Sequence, residues 1–467
     1  MIWTREEILL ATAGELIFKG KERLFGPVVT DSRLVRKGSV FVALKGERLD
    51  GHDFVADAVG RGAGCLVLHS RPEASLAQKA SVVLVSDTLK ALGDLAHFRR
   101  NVVGLKVLAI TGSNGKTTTK EMVAAILQRS SIGRTSFRGK VLKTEGNYNN
   151  LVGLPLTLLA LKGSEKVAVL EMGTNRPGEI KRLTQIAAPE IGLITSVAPA
   201  HLEGLKTVEG VAREKGDLFR GMDPKGIAVV NVEDPWVRRL AKEFKGRTIT
   251  FGRKAEVAAE SFRILPAGGI EFSLRAGVER RRVQLNLSGE HNLVNALGAA
   301  AMAYGLGINL DAIRRGLEAV KPVPMRMAIE KWNGIGIIND AYNANPASMN
   351  AALRTLAGIK AKGKKIAILG DMLEMGQASR KHHLALGRQV ARYRIQRLFV
   401  IGDQTEAVKK GALMGGMKER QLTTGSDHEA IGKLLRAEAM AGDWLLFKGS
   451  RGMQMEKVLT VFKKGRE

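Results

Sequence analysis

A single cysteine, Cys65, stands in 467 residues. It allows no intramolecular disulfide and no cysteine-based zinc cluster; that fits a reducing compartment, and a cytoplasmic protein is expected. Aromatic residues make up 5% of the chain, so the core has to be mostly aliphatic. No apolar run approaches the ~18 residues that span a bilayer. The first dozen residues carry Glu6 and Glu7 and no unbroken apolar stretch, so no secretory signal is expected. There is no internal repeat, no low-complexity segment, no zinc-finger spacing and no aromatic-interleaved RNA-binding motif. Acidic residues are in deficit: 73 Lys and Arg face 46 Asp and Glu, a net charge of +27. Such a charge suits nucleic acid, an anionic membrane face or acidic substrates. The basic residues are scattered, with short runs at 280–282 and 362–365 and no basic tail. A generally basic surface meeting acidic substrates is therefore favoured over nucleic-acid binding.

What is present is ordinary for a soluble globular protein: 45% hydrophobic and 25% charged residues. At about 150 residues per domain the length suggests about three domains. The pattern predicts an α/β fold: a small N-terminal α/β domain over 1–84, a central P-loop-type, mostly parallel sheet over 85–318, and a C-terminal Rossmann-like parallel sheet over 319–467. Short apolar runs at 39–44 and 64–68 are separated by glycines, a new strand is expected at 106–110, and the runs 167–170, 191–195 and 227–231 are short, β-branched and not alternating, as buried parallel strands are. The polar, alternating stretch 261–287 reads as a small antiparallel hairpin turning at Ala267-Gly268-Gly269. A helix is expected over 292–304, ending at Gly305. Pro322 and Pro324 stiffen a linker. Strand signals return at 336–339, 365–369, 398–401 and 444–447. The C-terminal section lacks Gly-x-Gly-x-x-Gly, which argues against a dinucleotide site there.

The strongest chemical signal is Thr111-Gly112-Ser113-Asn114-Gly115-Lys116-Thr117-Thr118, between a strand and a helix. Its glycines let backbone N–H groups turn toward phosphate, and the helix N-terminus adds partial positive charge. Lys116, read as exposed in the loop, suits β- and γ-phosphates; Thr117 suits Mg²⁺. Ile110 stands where the full P-loop pattern has another glycine. Glu171 closes the strand 167–170, at the strand end where ligands bind, and offers hard oxygens to Mg²⁺ rather than a helix cap. His201 follows the strand 191–195 and is read as structural or a ligand with even weight. Lys215, among Arg213, Glu214 and Asp217, reads from its neighbours as a surface lysine. Asn292 and Asn295 suit an adenine edge, with helix capping by Asn292 as the alternative. Asp340 to Pro346 reads from composition as a turn and helix start.

The short form Thr-Gly-Ser-Asn-Gly-Lys-Thr-Thr resembles the Mur ligases, ATP-dependent enzymes of peptidoglycan synthesis; folylpolyglutamate synthetase is similar in the same loop. The resemblance implies ATP bound by Thr111 to Thr118, Asn292, Asn295, Arg326 and Asp340. It implies two Mg²⁺ ions held by Thr117, Glu171, His201 and Lys215, with Lys215 carbamylated. Lys116, His201, Lys215 and Arg326 are the implied catalytic groups, and Arg326 is expected to reach the phosphates on domain closure. Asp31-Ser32-Arg33, Phe41 to Leu44 and Asp50-Gly51-His52 resemble a uridine-nucleotide-binding domain, so Ser32 and Arg33 are expected to hold substrate; Ser32 in a plain turn is the alternative. Gly146-Asn147-Tyr148-Asn149-Asn150, Leu369 to Gly376 and Phe447 to Glu456 resemble the branch of the family that joins D-alanyl-D-alanine to UDP-N-acetylmuramoyl-tripeptide, and Asn147 is assigned to substrate. Another amino-acid-adding Mur-type ligase is the alternative, and a basic P-loop nucleic-acid-binding protein is the alternative of a different class. A monomer without a membrane span is expected.

Overall fold

The computed structural model describes residues 2–77, 79–265 and 268–464. Three large sheets, beside two small two-stranded ones, organise these residues. A five-stranded sheet of Glu15–Phe18, Ser81–Leu84, Cys65–Leu68, Val40–Val42 and Val28–Val29, in that spatial order, forms the N-terminal unit. Helix Thr88–Val103, capped by Asp87, packs on that unit through Ala91, Leu92 and Leu95 and on the central one through Ala96.

The central sheet has nine strands. Lys106–Thr111 lies inside it, with Val167–Glu171 on one side and Ile191–Ile194 on the other. Alternate residues of these strands feed opposite faces: Val107, Ala109, Ala168 and Leu170 enter one core, Leu108, Ile110, Val167 and Val169 the other. Both faces are covered by helices, so an unbroken apolar run is what such strands require. The order of strands reverses at Lys106–Thr111, which opens a crevice beyond its carboxyl end.

The expected hairpin at 261–287 is a three-stranded antiparallel extension of this sheet, Val257–Ile264, Ile270–Ala276 and Glu279–Leu285. Its first strand starts earlier than the polar stretch because Val257 and Ala258 are buried while 260–264 are exposed. Of the expected turn, Ala267 lies outside the described residues. The helix expected at 292–304 spans Glu290–Gly305, and its N-cap is Gly289 rather than Asn292. Helix Leu310–Glu318 packs on the helix of the phosphate loop.

The third sheet runs in the order Ala328–Trp332, Ile335–Asp340, Trp444–Lys448, Lys365–Gly370, Arg397–Ile401, Leu422–Gly425. All its neighbours are parallel except the edge strand Ala328–Trp332. Among the described residues no helix is long and apolar enough to cross a membrane.

The approach of helix Leu310–Glu318 to the phosphate-loop helix is set by Gly316: a Cβ there would lie 2.3 Å from the Ile126 Cα. A Gly316→Val substitution is expected to destabilise the protein by about 1–3 kcal/mol through overpacking. Calorimetry would check this, and an unchanged melting temperature would contradict the close approach.

Candidate active site

The loop 111–118 joins the end of strand Lys106–Thr111 to helix Lys116–Leu127. Two glycines allow its path. Gly112 has φ 143°, and a Cβ there would sit 1.8 Å from Thr195 Oγ1; Gly115 has φ 83°, and its Cβ would sit 2.2 Å from Asn295 Oδ1. Thr195 Oγ1 donates to the carbonyls of Asn114 at 2.5 Å and Thr111 at 3.2 Å. Thr111 Oγ1 donates to Met172 O at 2.9 Å, and Ser113 Oγ to Ala198 O at 3.0 Å. No side chain caps the helix, so its first-turn N–H groups face the cleft. Lys116 is the first helical residue and half-buried, not exposed in the loop; its Nζ donates to Gly112 O at 2.8 Å. Burial pushes its pKa below the ordinary lysine value; Glu171 opposes that shift and Arg326 adds to it.

Thr117 and Glu171 meet as the sequence predicts. Thr117 Oγ1 donates to Glu171 Oε2 at 2.7 Å, and Glu171 is 2% exposed. Asn149 Nδ2 donates to the other carboxylate oxygen at 2.9 Å. Glu171 therefore serves no helix cap. A hydroxyl and a carboxylate beside a phosphate-binding loop fit Mg²⁺, which takes few protein ligands and several phosphate or water oxygens. Among the described residues no cluster of three or more His, Cys, Asp or Glu could hold a metal by itself, so nucleotide oxygens would have to complete any such site.

His201 sits just beyond the strand Ile191–Ile194 with φ 54°. Its Nδ1 lies 2.5 Å from Glu374 Oε2, on the far side of the cleft. Lys215, in helix Val208–Gly221, is 1% exposed, which overturns the reading as a surface lysine. Its hydrophobic neighbours Val211, Leu218 and Phe219 turn the same helix face inward. Burial first, and Lys116 second, bring its pKa down to about 7 against the opposing pull of Glu214. Glu214 is fully engaged, accepting from Thr174 Oγ1 and from the N–H groups of Gly178 and Ile180.

The third sheet aims its carboxyl ends at the same cleft, of about 770 Å³. Asp340 Oδ2 lies 2.5 Å from Lys448 Nζ, and its Oδ1 accepts from Met327 N at 3.0 Å. The Arg326 guanidinium stacks 3.9 Å over the Tyr342 ring. Met325 and Met327, on either side of Arg326, have φ 57° and 52°. Asn345 caps helix Pro346–Gly358 through Ser348 N, and its Nδ2 donates to Asn114 Oδ1 of the phosphate loop at 2.9 Å. The run 340–346 thus starts a helix and also touches the loop 111–118. Asn292 Oδ1 accepts from Asn295 Nδ2 at 3.0 Å, and both residues line the cleft.

The expected substrate residues divide. Asn147 lies exposed on the wall of this cleft. Ser32 and Arg33 do not line it. Ser32 is buried and hydrogen-bonds the Asp57 carboxylate, whereas the exposed Arg33 guanidinium grips Asp31 at 2.7 Å and holds that carboxyl down at about 2. Sequence reasoning gave no individual role to Asn149, Thr195, Tyr342, Asn345, Glu374 or Lys448. All except Thr195 lie within motifs it had singled out, and Thr195 ends a predicted strand.

Three family models match the chain: "Mur ligase family, catalytic domain" at 27–100, "Mur ligase middle domain" at 110–303, and "Mur ligase, glutamate ligase domain" at 325–451. The chain belongs to the Mur ligase family. This Mur ligase is 36% identical over 453 residues to UDP-N-acetylmuramoyl-tripeptide–D-alanyl-D-alanine ligase of Escherichia coli, covering 96% of the chain and 95% of the relative. The Bacillus subtilis enzyme of the same name is 35% identical over 434 residues, with 92% of each covered. Among solved structures, MurF from Acinetobacter baumannii superposes with a TM-score of 0.90 at 32% identity, covering 99% of both chains. MurF from Thermotoga maritima in complex with ADP gives 0.82 at 31% identity, covering 94% of this chain and 97% of that one.

The Asp340–Lys448 pair links two adjacent strand ends; the Lys448 side chain is 2% exposed and that of Asp340 13%. Removing the cation leaves a buried carboxylate and the Asn343 carbonyl without their donor. Lys448→Met is expected to cost about 3–5 kcal/mol, read from guanidinium unfolding followed by tryptophan fluorescence. A change below ~1 kcal/mol would show the pair to be replaceable by solvent.

Proposed function

We propose that this Mur ligase uses ATP to join D-alanyl-D-alanine to UDP-N-acetylmuramoyl-tripeptide, a cytoplasmic step of peptidoglycan precursor synthesis, as a monomer. The observation that carries the reading is the cleft, where a phosphate loop and the carboxyl ends of a second parallel sheet face each other, in a chain matching two ligases of that name over nearly its whole length. The terminal carboxylate of the tripeptide attacks the γ-phosphorus, ADP leaves, and an acyl phosphate results. The dipeptide amine adds to the acyl carbon, loses a proton, and phosphate is expelled as the amide forms.

The protein's part is positioning and charge neutralisation. The loop N–H groups and Lys116 hold the phosphates, Arg326 brings a fixed planar cation from the opposite side, and Asn292, Asn295 and Asp340 face the nucleotide. Thr117, Glu171, His201 and Lys215 would hold two Mg²⁺ ions, which when bound offset the repulsion between carboxylate and triphosphate. Lys215 would serve as a carbamate. Its burial supports this: an ammonium there is disfavoured, and a neutral amine is the form that takes up carbon dioxide to give two hard oxygens. Ser32 and Arg33 would hold the uridine nucleotide and Asn147 the peptide, with the domains as read from the sequence: 1–84 for the uridine nucleotide, 85–318 for ATP and 319–467 for the dipeptide.

Phosphate release by the purified protein tests the reading. It is expected to require ATP, UDP-tripeptide and D-alanyl-D-alanine together. Release with a single amino acid and the UDP-dipeptide instead would assign another ligase of the family. Lys116→Ala should lower kcat by about 10²-fold or more, with the circular dichroism spectrum unchanged; near-normal turnover would remove the phosphate loop from the chemistry. Lys215→Ala should lose activity by about 10–100-fold and regain part of it in added formate or acetate. Full activity without rescue would show that no carbamate is needed.

A further inference from the structure

Glu374 is absent from the reaction as described, yet it makes the shortest polar contact between the central and C-terminal units at the cleft. Its carboxylate lies 2.5 Å from His201 Nδ1, across 173 positions of sequence. Partner chemistry fixes the direction of this bond: an ionised carboxylate accepts only, so Nδ1–H donates. With Nδ1 turned to Glu374, Nε2 is the nitrogen left for the cleft, which His201 lines.

Glu374 is also held in place from behind. Glu203 N donates to Glu374 O at 3.0 Å, so the backbone and side chain of this one residue hold both His201 and the backbone two residues beyond it. Leu373 N donates to Ser450 Oγ at 2.8 Å, and Met372 N donates to the buried His383 Nε2 at 2.9 Å. Glu374 has φ 60° and His201 φ 54°. Two non-glycine residues in the left-handed region, meeting across a domain boundary, are the kind of local cost that persists at functional contacts.

We propose that Glu374 is a positioning residue: it orients the His201 ring and fixes its tautomer, and it does so only when the C-terminal unit closes on the central one. A histidine that donates one nitrogen to a carboxylate offers the other in a defined direction to a metal. Closure then does more than bring Arg326 to the nucleotide; it also brings the Glu374 carboxylate to a histidine of the central unit. The proposal rests on the reading of His201 as a Mg²⁺ ligand.

Three readouts on the full-length enzyme test it, with Glu374→Ala and Glu374→Gln. Long-range ¹H–¹⁵N spectra of histidine-labelled protein closed on UDP-tripeptide and a non-hydrolysable ATP analogue, without metal, should show His201 as the Nδ1–H tautomer. Glu374→Ala should give a tautomer mixture, and Glu374→Gln, whose amide oxygen still accepts, should keep most of the Nδ1–H form. Mn²⁺ affinity, followed by electron paramagnetic resonance, should fall about tenfold or more in Glu374→Ala, with kcat falling in parallel and the KM for UDP-tripeptide nearly constant. Closure, followed by energy transfer between labelled domains, should persist with the substrates bound. An unchanged tautomer, or a loss confined to closure with Mn²⁺ affinity intact, would overturn the proposal and leave Glu374 as a simple latch. The two readings fail separately: an inactive wild-type enzyme, or an active His201→Ala, rejects the role of His201, whereas a fully active Glu374→Ala beside an inactive His201→Ala rejects the clasp alone.

Discussion

Thr195 Oγ1 donates to two carbonyls of the loop 111–118 and presses against Gly112, while Asn295 closes on Gly115 from the other side. Space for a side chain is absent at both glycines, and the remaining arrangement follows from that. With no Cβ at Gly112 or Gly115 the loop turns tightly enough to start a helix at Lys116 with its N–H groups uncovered. The hydroxyl of Thr117 then points back to the neighbouring strand end, where Glu171 stands. Strand order supplies the rest, because reversal at Lys106–Thr111 leaves the crevice open above the loop.

Charge is managed by pairing, and the pairing tells which cations are available. Lys448 is consumed by Asp340 and the Asn343 carbonyl. Lys116 rests on a neutral carbonyl and Arg326 on an aromatic face, so neither gives up a carboxylate partner to meet an anion. Outside the cleft many arginines sit in exposed pairs, such as Arg280 with Glu260, Arg263 and Arg282 with Glu271, and Arg281 with Asp311. Such pairs contribute at most ~1 kcal/mol each. The net charge of +27 therefore comes from a surplus of scattered surface cations rather than from unpaired groups at these sites.

The strands at the centre of each sheet were legible because burial on both faces demands an unbroken apolar run, as in Ile227–Asn231. Edge strands were not: Val141–Lys143, Ala328–Trp332 and Leu422–Gly425 are short, half-exposed and carry polar residues. The phosphate loop and Glu171 could be joined from sequence, since local order and a shared strand end connect them. Lys215 could not be recognised as buried, because its charged neighbours on the helix mask the apolar face formed by Val211, Leu218 and Phe219. The clasp of His201 by Glu374 depends on how two separately folded sheets meet, and no local pattern encodes that.

Backbone strain follows the same geography. Of the ten described non-glycine residues with positive φ, His201, Met325, Met327 and Glu374 flank or line the cleft, Ala13, Ala188, Lys206 and Gln454 cap helix ends, and Asn333 and Arg394 lie in turns away from it. A helix end tolerates a left-handed residue because that conformation satisfies its last carbonyls. The cleft residues have no such local return; each costs ~1 kcal/mol or more and stays because sheets and helices on both sides fix the chain ends. Met325 and Met327 set the direction of Arg326, and Glu374 and His201 set each other. At these four positions the left-handed residue stands where a side chain of one unit faces the other across the cleft, and there a fixed direction serves a site that closure assembles.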